Sequence, residues 1–389
     1  MTGRSGPLHG VVVVELGDSA SAPFAGKILA ELGAEVWKVE RPTGDSSRGW
    51  GPSQWRGHGA PWHALNRGKK LLRVDLKDPA QLDRLKRLVV DRADVFLDNL
   101  RPGSSGQYGL DADSLRVVKP ELVHCEIGAF GHAGPMNTLG GYDPLMQAYA
   151  GIMSLTGEED SAPVRAGVSI VDFGSGMWAV IGILAALLKR GTDGAGATVQ
   201  GSLLETALAW MCVGIANYNA DGEPGRRHGS GVAFIVPHRA YPTADGHLIV
   251  SCANDDLFAR LCALLDHPEW AQDDRFATNG GRLANRGEID RLIGDQLSQR
   301  SRKHWEQHLR AGGIPVAPIQ TTPEVVASEQ VRALDIVRAT SDDGLETVGL
   351  PLSFDGVRPG VEFGAHDIGA HDAELEAMFS AHAPSPQAT

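Results

Sequence analysis

The chain is poor in cysteine and in positive charge. It has four cysteines among 389 residues, in no Cys-x-x-Cys pair and at no metal-ligand spacing. A disulfide framework and a zinc site are therefore excluded, and we expect reduced, mostly buried thiols. The formal net charge is −12, whereas a protein that binds nucleic acid needs a basic face. We expect no nucleic-acid partner.

Motifs of several common enzyme classes are also absent. The turn at residues 17–23 lacks the Gly-x-Gly-x-x-Gly pattern that lets the backbone approach a pyrophosphate, so a dinucleotide cofactor is not supported. The chain has no phosphate loop of the type Gly-x-x-x-x-Gly-Lys-Ser/Thr, no His-Glu-x-x-His helix and no Gly-x-Ser-x-Gly elbow. We expect no bound metal and no permanently bound cofactor.

Long hydrophobic runs are missing as well. The apolar run 178–188 is too short to cross a bilayer, and the next run is interrupted by Glu205. Both are expected to be buried helices. Residues 1–9 are polar and glycine-rich, which is not the pattern of a secretory signal. We expect no membrane segment and a cytoplasmic protein.

The first half of the chain alternates short apolar runs with amphipathic stretches. The spacing predicts strands at 11–16, 36–40, 71–76, 95–99 and 122–128, with helices at 23–32 and 79–93. Continuous apolar strands joined by helices predict an α/β domain, in which a Rossmann-like parallel sheet is covered on both faces. Ligands in such sheets bind at the carboxyl ends of the strands.

The composition changes near residue 220. A Gly/Pro-rich stretch at 221–231 is followed by a strand-turn-strand pattern at 241–251 and by helical segments to about residue 310. We predict a large Rossmann-like domain at 1–220, a small α+β domain at 221–325, and a return segment at 326–389 that completes the large domain.

Positive charge is concentrated in one segment. Residues 38–73 contain eight basic residues and two acidic ones, in a chain that is otherwise strongly acidic. A solvated basic surface explains such a run. A second interpretation is a ring around a phosphate-bearing ligand, with Arg41 directly after the second strand and residues 69–73 entering the third. Because arginine also stacks on purine rings, a nucleotide-containing ligand fits.

One aspartate, Asp172, stands where an apolar strand-like run meets a long apolar helix. Its position alone predicts a helix N-cap. The same position suits a carboxylate nucleophile, because the helix dipole favours an anion there. Gly174 and Gly176 are expected to leave room for a bulky substrate.

Taken in order, these segments resemble the family III CoA-transferases, the CaiB/BaiF family. The motifs include Leu-Gly-Ala-Glu-Val at 32–36, Lys-Val-Glu-Arg-Pro at 38–42, Gly-Tyr-Asp at 141–143, the stretch 169–177, and Ala-Thr-Asn at 277–279. The resemblance covers essentially the whole chain. It implies that a small domain is inserted into the large one and that two chains interlock as a homodimer.

The resemblance also implies a reaction. Asp172 attacks the thioester of a donor acyl-CoA to give a mixed anhydride and CoA thiolate, and the thiolate returns to form an aspartyl-CoA thioester. An acceptor carboxylate then reverses these steps. Coenzyme A and acyl-CoA are thus substrates, and the second partner is a small carboxylic acid.

Ligand contacts are carried over from the family by matching position. The CoA contacts are Ala20, Arg41, Leu72, Arg73, Asn99, Leu100, Arg101, Gln107 and Tyr142, and the substrate pocket comprises Trp50, Gly229 and Gly231. Gln107 stands where relatives carry an arginine, and a neutral amide cannot hold a phosphate as arginine does, so Arg101 is a candidate replacement. Gly229 and Gly231 match a loop over the aspartyl intermediate, although an interdomain hinge explains them equally well.

Two alternatives to a transferase remain. Racemases of 2-methylacyl-CoA share the family but carry a histidine at the middle of the triplet where this chain has Tyr142, and tyrosine is a poor base at neutral pH. A noncatalytic acyl-CoA-binding protein on the same scaffold is the other alternative, and the presence of Asp172 argues against it. The sequence does not identify the acids that are exchanged.

Overall fold

The structure is a computed structural model that describes residues 6–380. Its strands are β1 Val12–Leu16, β2 Glu35–Glu40, β3 Gln54–Trp55, β4 His58–Gly59, β5 Lys70–Arg73, β6 Val95–Asp98, β7 Val123–Gly128, β8 Thr198–Ser202, β9 His238–Thr243, β10 Gly246–Ser251, β11 Val316–Pro318, β12 Val337–Arg338 and β13 Thr347–Val348. Its helices are α1 Ser21–Glu31, α2 Ala60–Asn66, α3 Pro79–Arg92, α4 Ser104–Gln107, α5 Ala112–Val118, α6 Asp143–Tyr149, α7 Ile152–Leu155, α8 Ile170–Asp193, α9 Leu203–Trp210, α10 Cys212–Asp221, α11 Asp255–Leu264, α12 Asn279–Ala284, α13 Arg286–Leu297, α14 Arg302–Ala311, α15 Thr322–Ala327, α16 Glu329–Ala333 and α17 Asp372–Ser380.

Six strands form one parallel sheet in the order β5-β2-β1-β6-β7-β8. The predicted parallel sheet is therefore confirmed, and the five predicted strands correspond to β1, β2, β5, β6 and β7. Strand β8 was missed because its sequence, TVQGS, is polar and its residues are mostly accessible at the edge of the sheet. The order reverses between β1 and β6, which creates a switch point at their carboxyl ends.

Both faces of this sheet are covered by helices. On one face α1 and α8 supply Ala25, Leu29 and Ile183 to the core. On the other face α3, α5 and α17 supply residues such as Leu88 and Leu375. This two-sided burial explains why the central strands are continuous apolar runs rather than alternating ones.

Helix α8 is longer than the apolar run suggested. With 24 residues, the helix is long and apolar enough to cross a membrane by length and composition alone, and 44% of its most apolar stretch is buried. The core helix of a soluble protein passes the same test of length and composition. The helix packs along α1, α9 and the edge of the sheet, and one side of it is exposed.

The chain divides into two compact units. The first consists of the described parts of 1–150, 166–213 and 329–389, and the second of 151–165 and 214–328. The second unit has its own core, built on the antiparallel sheet β11-β10-β9 and helices α11, α13 and α14. The predicted domain boundaries did not include residues 151–165, which precede α8 in the sequence yet group with the second unit.

Candidate active site

A cavity of about 300 Å³ opens at the carboxyl ends of β1, β2, β5 and β6. Its charged lining includes Asp18, Arg41 and Lys77, and its apolar lining includes Leu100 and Tyr108. These residues follow the strands at the edge where the strand order reverses. The cavity therefore lies where parallel α/β sheets bind ligands.

The turn after β1 is fixed by a side chain from the neighbouring strand. Asn99, directly after β6, accepts a hydrogen bond from the Asp18 N–H (3.0 Å) and donates to the Asp18 carbonyl (2.9 Å). It also donates to Ser21 Oγ (3.1 Å). Ala20 is the N-cap residue of α1 and is buried. The hydrogen bonds of Asn99 thus fix the turn that contains Ala20, which is one of the predicted CoA contacts.

Arg41 lies at the mouth of the cavity with its side chain 57% exposed. Its Nε donates to the Gly44 carbonyl (2.9 Å), and its guanidinium pairs with Asp18 at 3.2 Å. Asp18 in turn accepts from the Ser46 N–H and hydroxyl at 2.8 and 2.6 Å. Arg41 is therefore reachable by a ligand, but an acidic neighbour holds it.

Much of the basic segment faces inward rather than toward a ligand. Lys38 and Lys69 are fully buried and both pair with Glu15, at 3.0 and 2.8 Å, and Lys38 also pairs with Asp45 at 2.8 Å. Burial lowers the pKa of Lys69 to about 8. Arg67 is buried against Glu31. The prediction that residues 69–73 surround a phosphate is wrong for Lys69, because its ammonium group stabilises the interior.

Leu72 and Arg73 lie at a second cavity, of about 220 Å³, beside α3 and α17. Leu72 is fully buried in the core, and Arg73 is exposed at the end of β5, where its N–H donates to Asp372 (3.0 Å). Neither residue lines the cavity at Arg41. Val74 lines both cavities, so the two openings are neighbours. Contact of Leu72 and Arg73 with CoA stays a prediction.

The segment after Asn99 leads along the rim of the first cavity. Leu100 lines the cavity, and its N–H donates to Asp98 (3.1 Å). Arg101 and Gln107 are both exposed, Arg101 before α4 and Gln107 as its last residue. Ser104 and Tyr108 of this segment reach the cavity. Arg101 follows β6, so it lies at the carboxyl-end edge of the sheet, where the cavity also opens. Its role in holding phosphate stays a prediction.

Asp172 lies in the first turn of α8, three residues after the N-cap Ser169. The prediction that Asp172 is the N-cap is therefore wrong. Burial and, to a smaller extent, the nearby Asp143 charge together raise the pKa of its carboxyl to about 7. No described residue donates a hydrogen bond to this carboxylate. Asp172 is a half-buried acid whose two oxygens are not engaged by the described residues.

The capping carboxylate comes from Asp143, at the start of α6. Asp143 is buried, and its Oδ2 accepts from the Val171 N–H (2.7 Å) and the Asp172 N–H (3.2 Å). Sequence reasoning missed this role, although the Gly-Tyr-Asp triplet marked the residue. Tyr142, which precedes it, is 67% exposed and is the N-cap residue of α6.

Gly174 and Gly176 of α8 serve helix packing. A Cβ at Gly176 would lie 2.7 Å from the Ser21 carbonyl oxygen, and a Cβ at Gly174 would lie 2.7 Å from the Trp210 ring. The expectation that these glycines make room for substrate is therefore wrong. They bring α8 against α1 and α9, and Phe173 packs on Phe24 with ring centroids 4.7 Å apart.

This packing connects Asp172 to the first cavity. Gly176, one turn after Asp172, abuts Ser21 at the start of α1, and Ser21 is bonded to Asn99. The turn that carries Asp18 and Ala20 precedes Ser21. The N-terminus of α1 therefore contacts both the turn that lines the cavity and the first turns of α8.

The three predicted pocket residues belong to two different units of the chain. Trp50 is 37% exposed and follows the 3-10 turn Ser46–Gly49 in the first unit. Gly229 and Gly231 belong to the second unit. Gly229 has φ +59° and its N–H donates to the Gly157 carbonyl (2.9 Å), and a Cβ there would lie 2.4 Å from the Glu158 carboxylate. Their contact with substrate stays a prediction.

Within residues 6–380, no group of three or more His, Cys, Asp or Glu side chains is arranged to hold a metal ion. Two carboxylates, those of Asp143 and Asp172, lie together at the start of α8. The helix dipole favours an anion at Asp172, but burial and the Asp143 charge outweigh it, because the pKa of the carboxyl is raised.

Comparison with known proteins gives concordant results. The family model described as CoA-transferase family III matches residues 8–372. The succinate–glutarate CoA-transferase of Agrobacterium fabrum is 36% identical over 395 residues, covering 97% of this chain and 98% of that relative. The succinyl-CoA:glutarate CoA-transferase of Homo sapiens is 34% identical over 326 residues, covering 84% and 74%. A CaiB/BaiF family protein from Brucella suis has a solved structure with TM-score 0.89 at 35% identity, covering 96% of this chain and 99% of that one.

Proposed function

Because this chain belongs to CoA-transferase family III and is a CoA-transferase enzyme, we propose that Asp172 is the nucleophile that carries the transfer. The observation that supports this assignment is the environment of the Asp172 carboxylate. It is half-buried at a helix N-terminus, the amides of Val171 and Asp172 are satisfied by Asp143, and its oxygens accept no hydrogen bond from the described residues. A carboxylate so placed can attack an acyl carbon.

The transfer then proceeds by four successive acyl substitutions. The Asp172 oxygen attacks the thioester carbonyl of the donor, the C–S bond breaks, and CoA leaves as thiolate. The thiolate attacks the aspartyl carbonyl of the anhydride, which releases the donor acid and leaves an aspartyl-CoA thioester. The acceptor carboxylate attacks that thioester and frees CoA thiolate again. The thiolate finally attacks the acceptor acyl carbon and regenerates Asp172.

Coenzyme A is proposed to bind with its nucleotide end in the 300 Å³ cavity. Arg41 supplies an exposed guanidinium for a phosphate or the adenine ring, and Leu100 and Tyr108 supply apolar surface. The pantetheine arm would pass Ala20 at the N-terminus of α1 toward Asp172. No permanently bound cofactor is needed, since CoA enters and leaves as substrate.

The acids are proposed to be dicarboxylates of four or five carbons. Two similar transferases are named for succinate or succinyl-CoA with glutarate. We therefore propose succinyl-CoA as donor and glutarate as acceptor. All four cysteines are free thiols, which supports a reducing compartment and hence the cytoplasm.

An interlocked homodimer is proposed from the family resemblance and from one exposed surface. Apolar side chains at helical spacing along α8 are 36–77% exposed, namely Met177, Trp178, Ile181, Leu184 and Leu188. A second copy would cover such a stripe. Sedimentation should give a dimer at micromolar concentration. Tagged and untagged dimers should form no hybrids on mixing unless first unfolded, and free exchange of subunits would contradict interlocking.

The reaction is tested by incubating the purified enzyme with succinyl-CoA and a panel of carboxylic acids and detecting new thioesters by mass. Incubation with succinyl-CoA alone, followed by hydroxylamine, should place a hydroxamate on Asp172. Asp172→Asn should abolish both signals while it still binds CoA. A racemase would instead exchange the α-proton of a 2-methylacyl-CoA with deuterated solvent, and retained transfer in Asp172→Asn would refute the assignment.

A further inference from the structure

Asp143 and Gln147 form a buried pair on one face of α6. Both are almost completely inaccessible, and they lie one helical turn apart. The Gln147 side-chain amide donates to Asp143 Oδ1 at 2.6 Å. A charged carboxylate without a cationic partner is expensive to bury unless hydrogen bonds satisfy it. The presence of a buried carboxylate at position 143 therefore needs a structural or chemical reason.

The hydrogen bonds of this pair converge on the segment that leads into Asp172. Gln147 Oε1 accepts from the Ala166 N–H at 2.9 Å. Asp143 Oδ2 accepts from the Val171 N–H at 2.7 Å and from the Asp172 N–H at 3.2 Å. The two side chains thus hold both ends of residues 166–172, and one of these bonds is to the backbone of Asp172 itself.

We infer that Asp143 and Gln147 are positioning residues for the transfer reaction, a clamp on residues 166–172 that holds the Asp172 carboxylate in its attacking position. The inference rests on the proposed role of Asp172 as nucleophile. Neither side chain needs to touch substrate. A displacement of about 1 Å at a reacting group can lower turnover roughly 100-fold, so a clamp on the backbone of the nucleophile affects kcat more than KM.

The charge of Asp143 gives the clamp a second measurable effect. A neighbouring anion makes the Asp172 carboxyl harder to ionise, and Asp143 is the charged residue identified as raising its pKa. The other charged groups on elements packed against α8 are engaged elsewhere. Lys27 and Glu31 of α1 pair with each other, Glu205 of α9 accepts from Ser202, and on β7 Glu126 lies near His132 and His124 near Asp98.

A swap of the two side chains separates geometry from charge. In Asp143→Asn the new amide NH₂ faces the Gln147 NH₂, so one hydrogen bond becomes a donor–donor conflict. In the double variant Asp143→Asn/Gln147→Glu, the asparagine can donate to the glutamate, and the glutamate can still accept from the Ala166 N–H. All four hydrogen bonds are then retained, and the negative charge moves from residue 143 to residue 147, which does not bond to the Asp172 N–H.

The experiment measures succinyl-CoA:glutarate transfer against pH, with folding checked by circular dichroism. Asp143→Asn should lower kcat at pH 8 about ten-fold with little change in KM, and it should move the acid limb of the profile about one pH unit lower. The double variant should recover kcat to within about three-fold, with an acid limb between the other two.

Asp78→Asn is a matched control. Asp78 also accepts from two backbone N–H groups, of Ala80 and Gln81, and from a glutamine side chain, Gln81, but at the start of α3. This variant should leave the acid limb where it is. A merely structural role for Asp143 would behave like this control.

Several results would overturn the inference. Unchanged kcat and an unmoved acid limb in folded Asp143→Asn would do so, as would a double variant no better than the single one. If Asp143→Asn does not fold, the double variant decides alone, and its failure to fold would also contradict a clamp whose bonds it keeps. A missing hydroxamate on Asp172 in the unmutated enzyme would instead refute the proposed nucleophile.

Discussion

Asp172→Asn should make the folded protein more stable at alkaline pH while it abolishes transfer. In the fold, burial and the charge of Asp143 raise the pKa of the Asp172 carboxyl from 3.8 to about 7. The folded chain therefore binds this proton more tightly than the unfolded chain does. Its contribution to stability is fully present below pH 4, is lost as pH rises toward 7, and is constant above that.

The magnitude follows from the size of the shift. Each pKa unit corresponds to about 1.4 kcal/mol, so the ionised Asp172 lowers the free energy of unfolding by about 4 kcal/mol at pH 8. Between pH 5 and pH 8 the change is about 2.5 kcal/mol. Asparagine has nearly the same shape and no charge, so the variant escapes this penalty. Any difference in packing is the same at both pH values and cancels.

The assay is urea unfolding of both proteins at pH 5 and pH 8. The stability advantage of Asp172→Asn should grow by about 2.5 kcal/mol from the lower to the higher pH. Asp78→Asn is the control, because hydrogen bonds lower the pKa of Asp78 and the group is ionised in both states throughout this range. Its difference from the unmutated protein should not depend on pH. An advantage of Asp172→Asn that is equal at both pH values would refute a destabilised carboxylate.

Three further predictions concern the nucleophile, the cavity and the packing of α8. The rate of adduct formation by Asp172 with saturating succinyl-CoA should rise about ten-fold from pH 6 to pH 8, because only the anion attacks; a flat profile would contradict the raised pKa. Arg41→Ala should weaken CoA binding about ten-fold in calorimetry, whereas Asp18→Asn should strengthen it a few-fold, because it releases Arg41 from its ion pair. If the two variants changed the affinity for CoA equally, the cavity would be excluded as the CoA site. Gly176→Ala should lower stability by about 1–3 kcal/mol in urea unfolding because its Cβ meets the Ser21 carbonyl, and Gly191→Ala, with open space on the same helix, should raise it by up to about 1 kcal/mol.

The parallel sheet could be predicted because its strands are buried on both faces and therefore appear as unbroken apolar runs. The charged residues within those runs could not be assigned in the same way. Lys38 lies in the middle of β2 and was counted with a basic surface, yet it is fully buried against Glu15 of β1. That pairing depends on which strand lies beside which, and the periodicity of one strand carries no information about its neighbour.

For a similar reason, only part of the candidate site could be predicted from the sequence. Arg41 could be placed at the sheet edge because it directly follows a strand, and position along one strand decides that. The contact between Asp143 and the start of α8 joins residues 28 and 29 positions apart, and it exists only after α6 and α8 have packed. The role of Gly176 likewise depends on how closely α1 approaches.

In the proposed mechanism, the cap of α8 and the nucleophile are different residues, which explains how an aspartate near a helix N-terminus can stay reactive. A carboxylate that accepts hydrogen bonds from the amides of its own helix is stabilised as an anion, and its pKa falls. It would then be ionised but a poor nucleophile, with its lone pairs engaged. Here the amides of Val171 and Asp172 are satisfied by Asp143, so the oxygens of Asp172 keep their lone pairs. Asp143 supplies the cap and a repulsive charge, so the ionised Asp172 carboxylate is a destabilised anion at the N-terminus of α8, which is the state that the proposed attack on a thioester requires.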